Sequence, residues 1–138
     1  MTLSQIEEFQ ASVKRCLEAP DFMKDFYDRF TGSSEQIREK FRNTDFERQF
    51  RSLADSLYVM ALAVRGGPDN LARREMTRLS GRHKDMAVTP AMYDVWLECL
   101  LQAARAHDAQ FTDELEKIWR QTLAAGIEQM RTGAPYKA

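Results

Sequence analysis

The chain of 138 residues is 43% hydrophobic and 30% charged, with a formal net charge of −1. That suits one compact domain with a true core and excludes a disordered chain. The near-zero charge offers no field to draw in nucleic acid or an anionic membrane surface.

The opening MTLSQIEEFQ has two acids and no apolar run, unlike a signal peptide, and no apolar stretch is long enough to cross a bilayer. A cytoplasmic protein is expected. Apolar residues then recur with a period near 3.6 along almost the whole chain, which predicts helices. Ile6, Phe9, Val13 and Leu17 form the first stripe, with Ser4 and Glu7 as a capping box. Cys16 falls in this segment and Cys99 far away. Neither has a partner at metal or disulfide spacing, so both read as buried thiols in a reducing compartment.

Pro20 suits the first turn of a second helix carrying Phe22, Met23, Phe26, Tyr27 and Phe30, with Gly32 as its left-handed cap. A short turn passes from Ser33 through Ile37 to Phe41. Thr44-Asp45-Phe46-Glu47 resembles a capping box that opens a long helix to about Val64, striped by Phe46, Leu53, Leu57, Met60 and Val64. RGGPDN at 65–70 breaks the chain, and Asn70 or Asp69 caps a helix with Ala72, Met76, Leu79 and His83 on one face.

Thr89-Pro90 starts a helix through Tyr93, Trp96, Leu97, Leu100 and Leu101. Thr112-Asp113 starts the last, with Leu115, Ile118, Trp119, Leu123, Ile127 and Met130. His107 lies at a helix C-terminus, where an exposed imidazole is the plain expectation. Residues 131–138 are expected to fray. The whole reads as a single all-α domain, 1–138, of about seven helices, several of them short.

Three polar residues interrupt apolar stripes. His83 is in register with Leu79 and Met76, and a buried imidazole must hydrogen-bond or bind a metal. Gln49 sits at the edge of the Phe46, Leu53 and Met60 stripe, and its amide needs partners unless it is a boundary residue. Tyr27 stands between Phe26 and Phe30, where a core tyrosine is the simpler reading. One chemistry unites the three. A single histidine in an apolar pocket can hold haem iron, with hydrogen-bond donors such as a phenol and an amide serving the opposite face. Phe41, Leu53, Leu57, Val88 and Tyr93 are candidates for the apolar wall.

With these residues in hand, the chain resembles a globin, specifically a bacterial single-domain haemoglobin, from about Ile6 to Met130. FYDRFTGSSEQIREKF is similar to the B and C helices, TDFERQFRSLADSL to the E helix, LSGRHKDMAVTPAMYDVWLECLL to the F helix and start of G, and FTDELEKIWRQTLAAGIEQM to the H helix. The resemblance implies haem b with His83 as the metal ligand. It implies Tyr27 and Gln49 on the gas-binding side, with Phe50 as the neighbouring alternative to Gln49. Phe41 would stack on the porphyrin, and Leu53, Leu79 and Val88 would contact it. The second ring nitrogen of His83 should donate to a carbonyl near Leu79. Arg82 or Lys84 would meet the propionates.

The function so implied is binding of O2, and of NO or CO, at a five-coordinate iron, for storage or delivery. The alternatives are an NO dioxygenase or peroxidase fed by a separate reductase, since a chain this short has no room for a flavin domain, and a gas sensor acting through a partner. An interaction domain without haem is the remaining reading. A monomer or a homodimer is expected.

Overall fold

The computed structural model describes residues 1–67 and 70–137. Among them are seven helices and no strand: α1 (Leu3–Glu18), α2 (Phe22–Gly32), α3 (Glu35–Lys40), α4 (Phe46–Arg65), α5 (Leu71–Asp85), α6 (Pro90–His107) and α7 (Asp113–Thr132). The 3.6-residue period predicts each of the longer ones, because each has one apolar stripe to bury.

The caps differ in detail from the sequence expectations. The capping box at α1 is Thr2 with Gln5, not Ser4 with Glu7. Pro20 lies outside α2, which begins after Asp21. Gly32 is still helical, and Ser33 ends α2 in a right-handed conformation. Ser34 caps α3 by accepting from the Ile37 amide, so the expected turn is itself a short helix. Asp45, not Thr44, caps α4 through the Arg48 amide. Asn70 caps α5 through Arg73; Asp69, its alternative, lies outside the described residues. Thr89 precedes Pro90 at the start of α6, and Thr112 caps α7.

Helices α4 and α7 form the centre. Each packs on α1 and α5 and they pack on each other, while α6 covers α2 and α7. Gly126 on α7 permits the closest approach: a Cβ there would lie 2.9 Å from the Met76 side chain of α5 and 3.4 Å from Met60 of α4. The core is one cluster that includes Phe9, Phe22, Phe26, Leu57, Met60, Met76, Leu100, Trp119 and Leu123, all almost wholly buried. Cys16 and Cys99 are buried free thiols. Burial pushes the Cys16 thiol up to about 12, which leaves it unreactive.

A polar knot ties α1 to α7 and to the turn that precedes it. Asp108, the C-cap of α6, is 2% exposed. Its carboxylate accepts from Ser12 Oγ at 2.6 Å, from Arg15 Nε at 2.6 Å and Nη2 at 3.0 Å, and from the Gln110 amide at 2.9 Å. Trp119 Nε1 donates in turn to Ser12 Oγ at 3.0 Å. Burial alone would raise the pKa of Asp108, but its donors outweigh that and hold it below the usual carboxylate value.

Two sequence expectations are corrected nearby. His107 is half-buried rather than exposed: its Nε2 lies 2.9 Å from Asp25 Oδ2 of α2, and its ring stands edge-on to Phe22. Residues 131–137 are not simply frayed either. Gly133 takes a left-handed φ of 73° and caps α7 through Gln129. Tyr136 then folds back, half-buried, with the Arg73 guanidinium 4.9 Å from its ring centroid.

Candidate functional site

A cavity of about 550 Å³ opens between α2, α3, α4, α5 and α6. Nine of the residues picked out in the sequence line it: Tyr27, Phe41, Gln49, Leu53, Leu79, Arg82, His83, Val88 and Tyr93. Leu57 does not. It is fully buried in the core behind the cavity, and helix geometry gives the reason. At about 100° per residue, the lining residues Ser52, Leu53, Ser56 and Met60 fall within roughly 60° of Gln49, whereas Leu57 is turned ~80° away. Phe50 is not on the wall either; it stacks on Tyr27, with centroids 5.6 Å apart and planes at 22°. Lys84 is exposed and off the wall.

Tyr27 sits in an aromatic cage, edge-on to Phe26, Phe41 and Phe46. Gln49 Nε2 donates to its hydroxyl at 3.0 Å. Burial pushes the phenol up to about 12, against the opposing effect of the Gln49 hydrogen bond. The phenol therefore stays protonated at neutral pH. Since its oxygen accepts from Gln49, its own hydrogen is free to be donated.

On α5, which contributes to the same wall, His83 Nδ1 lies 2.9 Å from the Leu79 carbonyl one turn earlier. A carbonyl can only accept, so Nδ1 carries the hydrogen and Nε2 keeps its lone pair. Burial lowers the pKa of His83. The Leu79 hydrogen bond opposes this and the Arg82 charge adds to it. The neutral, ligand-competent imidazole is thus the resting form at neutral pH. Tyr93 lies beside it, with ring centroids 6.2 Å apart.

The rest of the wall is apolar and sulfur-rich, with Met60, Met86, Met92, Met130, Trp96, Phe30 and Ile37. Lys40, Thr44, Ser52, Ser56 and Arg82 supply the polar part. No acidic side chain lines the cavity among the described residues. A largely apolar molecule that carries anionic groups matches this lining. The sequence reading missed Ser52 and Ser56, although their spacing from Gln49 puts them on its face. It also missed Lys40 and Met86, for which no local pattern signals a place on the wall. Among the described residues no cluster of three or more His, Cys, Asp or Glu could hold a metal ion.

A model of the bacterial-like globins matches residues 18–130. Among solved structures, this chain is similar to a protein from Pseudomonas aeruginosa PAO1 described as structurally highly homologous to a human hemoglobin. The two are 29% identical over 97% of this chain and 99% of that one, with a TM-score of 0.85. No curated protein matches the sequence.

Proposed function

The chain belongs to the bacterial-like globin family and has a globin fold, and from that premise we propose that it holds haem b and binds O2 reversibly for storage or delivery. The observation that carries the reading is that two polar groups line one largely apolar cavity. A neutral imidazole, His83, has its Nδ1 anchored to Leu79, and a phenol–amide pair, Tyr27 and Gln49, lines the same cavity.

The donor set supports haem. His83 Nε2 would be the sole protein ligand to the iron, and its fixed orientation makes it a better one. Apolar walls would exclude water from the porphyrin, and Arg82 with Lys40 would meet carboxylates at the mouth. Haem, when bound, supplies an iron that takes a diatomic gas. Every other contribution is the protein's. Tyr27 offers a hydroxyl proton, held in position by Gln49, to a guest that carries partial negative charge. Phe41, Leu53 and Val88 confine the guest and the ring sterically. Residues 1–138 serve as one domain for this purpose, and the two buried thiols support a reducing, cytoplasmic setting.

The test is hemin titration of the purified protein. A Soret band that saturates at one haem per chain, and is lost in His83→Ala, is the expected result. Protein that stays colourless with hemin, or that keeps its band in His83→Ala, removes the reading.

A further inference from the structure

The helix that bears His83 is weakly embedded. Of the fifteen residues in α5 only Met76 and Ser80 are buried, fewer than in any other helix longer than ten residues. Its anchors lie before His83. Arg73 Nε donates to the Ala63 carbonyl at 3.0 Å, and Ser80 Oγ to the Gln129 carbonyl at 3.2 Å. None of residues 81–90 is buried. The turn after α5 also holds Ala87 at φ 55°, the one non-glycine residue with positive φ among those described. An L-residue is sterically strained there, so something must hold it.

Among the described residues, one side-chain hydrogen bond from elsewhere in the fold reaches this stretch. Lys40, the last residue of α3, donates from Nζ to the Met86 carbonyl at 3.0 Å. Lys40 and Met86 both line the cavity and the bond between them is exposed, so it lies where the cavity meets solvent. The turn it holds is continuous with His83: the Met86 and Val88 amides both return to the His83 carbonyl, at 3.1 and 3.5 Å.

We propose that Lys40 is a positioning residue for His83: by holding the Met86 carbonyl it fixes the turn that sets the end of α5, and a haem carboxylate at the mouth competes for the same ammonium. The second half rests on the haem reading above. The chemistry follows from the donor. An ammonium donates without accepting, and a carboxylate is a stronger acceptor for it than a neutral carbonyl. Arrival of a carboxylate therefore loosens the grip on Met86, and entry of the ligand's edge is linked to the seating of the histidine.

Two measurements test this on Lys40→Met and Lys40→Arg. The first is amide hydrogen exchange in haem-free protein. Lys40→Met should speed exchange at Met86 and Val88 about three- to tenfold, the size expected of one hydrogen bond weakened by solvent at an exposed site, with Ser80 unchanged and Lys40→Arg keeping the protection. The second is the iron–histidine stretching frequency in ferrous protein loaded with haem or with haem dimethyl ester, which has no free carboxylates. The wild type should give different frequencies for the two porphyrins, and Lys40→Met should lose most of that difference. Unchanged exchange at Met86 and Val88 overturns the clamp, and an undiminished porphyrin dependence overturns the competition. A wild type that takes up neither porphyrin overturns the haem reading and the competition with it, and the exchange arm then decides the clamp alone.

Discussion

Gln49 and Tyr27 are joined by a hydrogen bond in which the amide donates and the phenol accepts, at 3.0 Å. The direction matters. Had the phenol been the donor, its proton would be spent inside the protein and the cavity would face an oxygen lone pair. As built, Gln49 orients Tyr27 and leaves it a donor.

Tyr27→Phe should therefore speed O2 dissociation by roughly 10–100-fold, the loss of one hydrogen bond to a partly charged guest in a dry site. Stopped-flow displacement of O2 by CO measures it. An unchanged off-rate would take Tyr27 out of the gas-binding side.

Gln49→Leu should act in the same direction but more weakly, by up to about tenfold, because its first effect is on the aim of the phenol. In the double variant the two losses should fall short of additive, since they share one network. Strict additivity would mean that the amide acts independently of Tyr27.

His83→Gly should abolish tight haem uptake while leaving the haem-free protein folded, because His83 is only half-buried and anchored locally. Added imidazole should restore a Soret band by filling the vacated position. Circular dichroism checks the fold, and absorbance titration checks the rescue.

Asp108→Ala should destabilise the protein by about 2–4 kcal/mol in urea unfolding. Removing one partner of a buried pair strands the others, although Arg15 keeps 28% of its side chain in solvent, which limits the loss. Asp108→Asn also gives a pH signature. A carboxylate whose folded pKa is depressed stabilises fully above its unfolded value, about 3.9, and loses that contribution as pH falls through the lower folded value. The wild type should thus lose stability faster than Asp108→Asn on acidification below about pH 4. Parallel acid limbs would show that the knot contributes nothing through charge.

Much of the fold and part of the pocket were legible because helical periodicity is a local property. His83, Leu79 and Met76 share a face whatever α5 packs against, and Tyr27 lies one residue from a fully buried Phe26. What escaped depends on distant partners. Nothing near Asp108 in the sequence marks Ser12 and Arg15 as its donors, and His107 reads as exposed until Asp25 of α2 is brought beside it. Leu57 shares a broad apolar stripe with Leu53, but the stripe serves two neighbours: its one edge faces the cavity and its other the core. Lys40 looks like any solvated lysine until the end of α5 arrives.

The knot at Asp108 also bears on how the chain is made. Its carboxylate is separated by 96 residues from Ser12 and 93 from Arg15. During synthesis the first helix emerges with its polar anchors unmatched and its Phe9 face uncovered, because Trp119, which covers that face, leaves the ribosome later still. The nascent α1 can pack on α4 once that helix has emerged, but its polar anchors and the Phe9 edge stay open to chaperones and proteases until Trp119 has followed.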